Sequence, residues 1–225
     1  MFYLTGSEVF KRYGILTVGL MAMALGVSLS TKADLGTSPI SCVPYVLSLG
    51  LPWTMGVITF VMHVVFIIIQ IILLRRNFQP IQLLQLPAAI IFSAFTDLTM
   101  YLVSVIQITN YVMQWVVLLF SFLLVGIGVS FQVKANVVML AGEGLVSAIC
   151  KVFRKEFGKV KIYFDSVLVI SGVCLSLFMF DKLIGVREGT IVAAVLVGTI
   201  VRFLVVRLNF SFFKPKALKK DIPFN

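Results

Sequence analysis

The sequence predicts an all-α membrane protein, a polytopic helical bundle of six transmembrane helices arranged as two inverted three-helix repeats. Composition is the first observation, because 60% of the 225 residues are hydrophobic, only 12% are charged and the mean hydropathy is +1.08. One small core cannot hide that much apolar surface, so lipid must cover the rest. Six apolar runs and an internal repeat are the other two observations.

Each apolar run contains about 20 residues, the length that crosses a hydrocarbon core of ~30 Å as a helix. A signal peptide is the competing interpretation of the first run, but Thr31-Lys32-Ala33 is a poor cleavage site, so we interpret this run as a helix. The spans leave no room for a soluble domain, and residues 1–225 are predicted to form a single membrane domain. The predicted spans lie near residues 14–31, 54–74, 83–104, 112–131, 161–180 and 188–207.

An internal repeat relates the two halves of the chain. A shift of 102 residues superposes Gly26-Val27-Ser28 on Gly128-Val129-Ser130 without a gap, and the same shift superposes Lys32 on Lys134. Because each half crosses the bilayer three times, the second half must enter from the opposite side, a topology that favours transport. The predicted repeats cover about residues 11–107 and 112–210.

A short helix is expected after the first span of each repeat. Thr37-Ser38-Pro39 is typical of a helix start, because the Ser38 side chain can accept a hydrogen bond from a backbone N–H and proline fits the first helical position. The matching segment, Leu145 to Phe157, has a basic polar face, so we expect it to lie along the cytoplasmic interface. The sequence leaves open whether the segments at 35–53 and 138–157 instead enter the membrane, where their N-termini would approach each other from opposite sides.

The distribution of the 19 Lys and Arg residues predicts the orientation. With the N-terminus in the cytoplasm, the basic groups fall on the cytoplasmic side, as the positive-inside rule requires. This bias and contact with anionic lipid explain the net charge of +10, so no nucleic-acid partner is expected. These groups are Lys11 and Arg12, Arg75 and Arg76, the cluster at 151–161, and a basic cytoplasmic tail at 211–225.

Ionisable residues inside a span cost about 3 kcal/mol at the bilayer centre and persist only where they face protein or water. His63 and Asp165 occupy equivalent positions in the two repeats, as do Asp97 and Arg202. Lys161 precedes Asp165 by four residues, so a local ion pair is available, and the long Arg202 side chain can extend to the interface. For His63 a neutral, hydrogen-bonded ring competes with a role in a proton relay.

Motifs for metal binding, nucleotide binding and covalent catalysis are missing from the sequence, so we expect no enzyme activity, no cofactor and no metal. The three cysteines are odd in number and predict no disulfide framework. Gln70 and Gln85 can join neighbouring helices by hydrogen bonds. Acid–base catalysis by His63 with Asp97 is a weaker alternative.

Several segments combine intramembrane charges with fixed spacing: Lys32 to Ser41, Leu84 to Leu98, Gly142-Glu143-Gly144, Phe157 to Asp165, and Arg187 to Thr190 with Gly198. Together these segments resemble the YitT/YczE group of bacterial six-span membrane proteins over nearly the whole chain. The resemblance implies the same architecture and a multi-pass protein of the bacterial cytoplasmic (inner) membrane. The distribution of Lys and Arg predicts that both termini lie in the cytoplasm. The resemblance implies transport only as a presumption, because it carries no established activity.

The leading functional prediction is a secondary transporter for a small anionic or zwitterionic solute, with its site at the interface between the repeats and a proton or another ion as the coupling species. The alternative is a non-transporting accessory or interaction protein, in which the same charges are structural and no cavity separates the repeats. Besides the lipid bilayer and the solute, a homodimer is an expected partner, because six helices in 24.9 kDa make a thin bundle. The predicted substrate-binding residues are Lys32, Lys134, Thr37, Ser38 and Glu143, and the predicted gating or coupling residues are Asp34, His63, Asp97, Asp165, Lys161 and Arg202.

Overall fold

The computed structural model describes residues 6–207, and these residues form eight α-helices with no strand among them. Six of the eight are long and apolar enough to cross a membrane, which confirms the predicted multi-pass helical bundle. The tail predicted at 211–225 lies outside the described residues. The helices are α1 (Gly6–Ala33), α2 (Pro39–Gly50), α3 (Met55–Leu74), α4 (Gln85–Val103), α5 (Tyr111–Ala135), α6 (Ala141–Phe153), α7 (Phe157–Phe180) and α8 (Glu188–Arg207).

The spanning helices are α1, α3, α4, α5, α7 and α8, and several of them extend beyond the predicted apolar runs. Helix α1 begins at Gly6 with Glu8 in its first turn and has Lys32 in its last turn, charges that suit the two ends of the helix dipole. Helix α5 continues to Ala135 and ends at Asn136, which adopts a left-handed conformation. Charged and capping residues therefore lengthen these helices beyond the apolar runs, which hydropathy alone does not reveal.

The two short helices form where they were expected, α2 after α1 and α6 after α5. Ser38 precedes α2 and Pro39 opens it, but the predicted side-chain cap is wrong, because the Ser38 hydroxyl donates to Oγ of Ser41 at 2.9 Å. The free amides of the first turn bond instead to the Ser38 carbonyl, at 2.9 Å from Ser41 N and 3.1 Å from Cys42 N. Helix α6 begins at Ala141, before the predicted start.

Contacts between α1 and α5 show how the two repeats are related. A Cβ atom placed on Gly19 would lie 2.9 Å from the carbonyl oxygen of Gly128, and one placed on Gly26 would lie 2.7 Å from the carbonyl oxygen of Ser121. The shift of 102 residues converts one pair into the other, and such an exchange of partners is the property of a two-fold axis. Because residue numbers rise along α1 as they fall along α5, the helices are antiparallel and the repeats are inverted.

The remaining helix contacts follow the same pseudo-two-fold axis with one exception. Helix α1 packs on α4 as α5 packs on α8, and each short helix crosses to the other repeat, α2 against α7 and α6 against α3. Helices α3 and α4 also pack closely, whereas α7 and α8 lack a comparable contact in the part of the chain that the structure describes. The apolar stretches of α7 and α8 are each 17% buried, against 39% for α3 and α4, so the second repeat is the more open of the two.

Candidate functional site

The N-termini of α2 and α6 meet between the two repeats. The side chain of Ile40 lies directly against Gly142, its own repeat equivalent, so this contact falls on the pseudo-two-fold axis. The same axis passes the α1–α5 pair midway between its glycine contacts, near Met23 and Val125, close to the middle of both helices. The two short helices therefore begin level with the middle of α1 and α5, and we call this place the meeting point.

From the meeting point each short helix runs outward along a spanning helix of the other repeat. In α2, Cys42 lies beside Gly172 of α7 and Gly50 lies beside Met179 nearer its end, so the two helices run in parallel. With 12 residues, α2 is about 18 Å long, roughly half the thickness of a bilayer including its headgroups. The sequence left open whether this segment enters the membrane, and its packing along α7 favours entry.

Helix α6 mirrors this arrangement along α3. Gly144 packs against Gln70, and a Cβ atom placed on Gly144 would lie 2.9 Å from Oε1 of that side chain. The expected course along the membrane interface is therefore not the one observed. The cations that suggested an interfacial helix lie in the last turn of α6 or beyond it, whereas three of its first four residues, Ala141, Gly142 and Gly144, are small and permit close packing.

Three of the predicted site residues come together at the start of α6 and along α7. The Lys161 ammonium donates to Oδ1 of Asp165 at 2.6 Å and lies 5.6 Å from the ring centre of Phe164. Glu143, the third residue of α6, has a buried Oε2 atom without a hydrogen-bond partner. Burial raises the pKa of the Glu143 carboxyl, and the nearby positive charge of Lys161 opposes that shift. An unsatisfied carboxyl oxygen therefore lies beside the meeting point and can take up a proton or a cationic group.

A glutamine pair anchors the start of α6. Gln70 and Gln85 exchange two hydrogen bonds, at 3.0 and 3.2 Å, and Gln70 Nε2 also donates to the carbonyl of Ala141 at 3.1 Å. The expected link between these two side chains is thus present, and it ties α3 and α4 to the N-terminus of α6. Polar residues inside an apolar run were the signal in the sequence.

The equivalent place beside α2 has different chemistry. The amide of Thr37 donates to the carbonyl of Gly185 at 2.9 Å, and its hydroxyl donates to the same oxygen at 3.2 Å. These bonds fix the start of α2 to the loop between α7 and α8. Thr37 is fully buried in this role, and its hydroxyl is directed to backbone rather than to the meeting point.

Asp97 lies at the end of the α3–α4 pair that is far from the meeting point. Its carboxylate accepts hydrogen bonds from Oγ1 of Thr54 at 2.6 Å and from the backbone N–H of Gly56 at 2.7 Å. Both donors belong to the N-terminus of α3, where a carboxylate satisfies free amides and suits the helix dipole. The hydrogen-bond partners of Asp97 therefore belong to the N-terminus of α3 and lie away from the meeting point.

His63 is 1% exposed, with the rings of Phe66 and Phe92 centred 6.4 and 6.0 Å from its own ring. Its Nδ1 atom is buried and has no hydrogen-bond partner. Asp97 contacts α3 at Gly56, two helical turns from His63, so the structure does not bring these two side chains together as an acid–base pair.

Lys32 and Asp34 lie at the end of α1. The Lys32 ammonium donates to the carbonyl of Ser104, which follows α4, at 3.0 Å. Nine residues separate Lys32 from Met23, so it lies about 14 Å along α1 from the axis. Asp34 is exposed, with a left-handed φ of 55°, and its carbonyl accepts from Nη1 of Arg187 at 2.7 Å.

Lys134 and Arg202 occupy the other repeat. Lys134 is half-buried in the last turn of α5, as far from the axis as Lys32 but toward the opposite side. Arg202 is exposed on α8. Neither lies at the meeting point. Of the predicted residues, Glu143 lies in the first turn of α6 and Ser38 directly precedes α2, so both adjoin the meeting point. The Lys161–Asp165 pair is near enough to act on the charge of Glu143.

A family model matches residues 10–205 of the chain and is described as a family of unknown function, DUF6198. The matched segment contains nearly all of both repeats, the meeting point and every site residue discussed above. No curated protein and no solved structure matches the chain. The resemblance to the YitT/YczE group stays a prediction. Since the family model covers most of its length, the chain belongs to the family of unknown function DUF6198.

Proposed function

We propose that the protein is a secondary transporter of a small anionic or zwitterionic solute, which binds where the N-termini of α2 and α6 meet. One observation carries the proposal: two half-length helices from inverted repeats begin face to face on the pseudo-two-fold axis, beside the unpaired carboxyl oxygen of Glu143. Discontinuous helices of this kind form the substrate sites of many transporters built from inverted repeats.

The chemistry at the meeting point favours a zwitterion. The N-terminus of a helix carries free N–H groups and a partial positive charge, and both attract an anionic group. The hydroxyls of Ser38 and Ser41 add polar contacts at the start of α2. Glu143 Oε2 is free to accept a hydrogen bond from an ammonium group or to bind a proton. A solute with a carboxylate that binds one helix N-terminus and an ammonium group that binds Glu143 would resemble a small amino acid.

Alternating access would follow from rocking of the two repeats about their axis, with the close glycine contacts of α1 and α5 as the pivot. We place the N-terminus and the basic ends of α3 and α6 in the cytoplasm, because this orientation puts the positive clusters on the inner side. The cell membrane of a bacterium is the proposed location.

The first test is a thermal-stability screen of the purified protein against amino acids, carboxylates, sulfonates and thiols. A true ligand at 100 times its dissociation constant adds about 2.7 kcal/mol of stability. We expect the stabilisation, and the solute flux in proteoliposomes, to be lost in Glu143→Gln and retained in Lys182→Gln, a control at an exposed cation between α7 and α8. Flux that continues unchanged in Glu143→Gln contradicts a site at the meeting point.

The accessory-protein alternative is favoured by a different observation. The Ile40 side chain fills the space against Gly142. The charges of Lys161 and Asp165 pair with each other, and the side chains of Gln70 and Gln85 are hydrogen-bonded to each other. An Ile40→Cys variant separates the two functions, because a transporter must open this position to water in part of its cycle. Labelling of that thiol by a membrane-impermeant maleimide, with a rate that changes when solute is added, supports transport. Complete protection from both sides supports the accessory role.

A further inference from the structure

An open groove of about 670 Å³ lies between the end of α3 and the end of α6, far from the meeting point. Four cations line it, Arg75 and Arg76 after α3 and Lys151 and Arg154 at the end of α6. A smaller groove of about 530 Å³ continues along the 3₁₀ turns that join α3 to α4. Leu73, Leu74 and Val152 supply apolar walls.

None of these four cations belongs to an ion pair described between residues 6 and 207. The three pairs in that range join Lys159 to Glu156, Lys161 to Asp165 and Arg187 to Glu188. Four positive charges that converge on one open space create a strong local potential, which attracts an anion. A general bias of basic residues toward one side of a membrane explains their number, but it does not explain why they surround a groove.

The other repeat shows that the fold itself does not require these charges. At the equivalent place, Gly50 of α2 packs directly against the apolar side chain of Met179 of α7. The residues that the repeat places there are all uncharged. They are Leu177, Phe178, Leu49 and Pro52, equivalent to Arg75, Arg76, Lys151 and Arg154.

Two of the four cations occupy backbone positions with positive φ angles. Arg75 and Arg154 have positive φ angles of 46° and 52°, at positions after a helix where glycine or asparagine is favoured. A large cationic side chain at such a position is disfavoured by local geometry alone. The other three such positions, Asp34, Asn136 and Asp181, also follow helices but carry no cation, so within the described residues only the groove combines this geometry with long cationic side chains.

The borders of the groove point to the kind of anion. Ile72 on α3 is 62% exposed and Phe153 on α6 is 59% exposed, so apolar surface leads away from the cations toward the lipid. A soluble anion would gain nothing from these side chains, whereas an amphiphile would cover them with its acyl chains. We propose that the groove binds the phosphate headgroup of an anionic phospholipid, with the acyl chains along the exposed faces of α3 and α6.

Native mass spectrometry of the full chain, titrated with phosphatidylglycerol and separately with phosphatidylcholine, tests this proposal. The double variant Arg76→Gln/Lys151→Gln removes two of the four charges and leaves the unusual backbone positions intact. From the usual contribution of a positive charge beside anionic lipid, we expect its apparent affinity for phosphatidylglycerol to fall about thirtyfold. The matched control Lys11→Gln/Lys155→Gln removes the same net charge from exposed positions outside the groove and should retain the wild-type affinity.

Three results would overturn the proposal. The first is an equal loss of affinity in the matched control, and the second is equal binding of both lipids by the wild-type protein. The third is displacement of phosphatidylglycerol by millimolar inorganic phosphate, which would identify a soluble phosphate as the occupant. If the double variant does not fold, salt dependence of the wild-type protein decides, because screening at 0.5 M salt should weaken a binding that depends on these charges.

Discussion

Removal of the Asp97 carboxylate should destabilise the protein rather than uncouple it. The sequence suggested gating for this residue, but its oxygens accept hydrogen bonds from the Thr54 hydroxyl at 2.6 Å and the Gly56 amide at 2.7 Å. It therefore holds the first turn of α3 against α4. Asp97→Ala removes both bonds and leaves the Gly56 amide without its acceptor in a buried place.

The expected loss can be estimated from these two bonds. The bond from the buried Gly56 amide to a charged acceptor contributes about 1.5 kcal/mol, and the bond from the exposed Thr54 hydroxyl contributes about 0.5 kcal/mol. Asp97→Ala should thus lower the free energy of unfolding by about 2 kcal/mol. Asp97→Asn keeps one carbonyl acceptor and should cost about half as much.

Reversible unfolding in mixed micelles measures these changes, and a double-mutant cycle with Thr54→Val isolates the shared bond. Residues in one hydrogen-bond network show a coupling of at least about 0.5 kcal/mol. Leu98→Ala, at the next residue of α4 and 47% exposed, is the control for loss of a side chain at this depth. Two results together would refute this structural role: additive effects of Thr54→Val and Asp97→Ala, and a loss of unfolding free energy in Asp97→Ala no larger than that in Leu98→Ala. Asp97 would then again be a candidate gating residue.

Three further predictions concern acid response, helix packing and topology. Because burial raises the pKa of the Glu143 carboxyl, the folded state binds the carboxyl proton more tightly than the unfolded chain does. The stability that this proton contributes is therefore complete below about pH 4.5, the ordinary pKa, and is lost as the pH rises through the folded-state pKa. The melting temperature measured over a pH series should fall with rising pH in the wild type and should not show this fall in Glu143→Gln. Gly128→Val should cost about 1–3 kcal/mol of unfolding free energy, since its side chain would collide with α1, while Gly14→Val, where nothing lies within 4 Å, should cost much less. Single cysteines in place of Arg76 and Lys182 should react with impermeant reagents from opposite sides of the membrane, and reaction from the same side would contradict the inverted repeats.

Hydropathy and self-similarity determined the class of protein without any tertiary information. A helix that crosses lipid must satisfy its own backbone hydrogen bonds and present about 20 apolar residues, so the spans leave a strong signal in the chain. The repeat of Gly26 as Gly128 likewise predicted inversion, because three crossings per copy allow no other arrangement. Those glycines proved to be the close contacts of α1 with α5.

The course of the short helices and the partners of the charges were decided only by the tertiary structure. Helix α6 carries a basic end that suggests an interfacial helix, yet its small first-turn residues let it pack along α3, a helix more than 60 residues away in sequence. In the same way Lys32 bonds to Ser104 and Asp97 bonds to Thr54, so neither reaches the helix starts beside which a solute would bind. Spacing along one chain fixes which residues share a helix face, but the choice of partner for a buried charge depends on which helices the fold brings together.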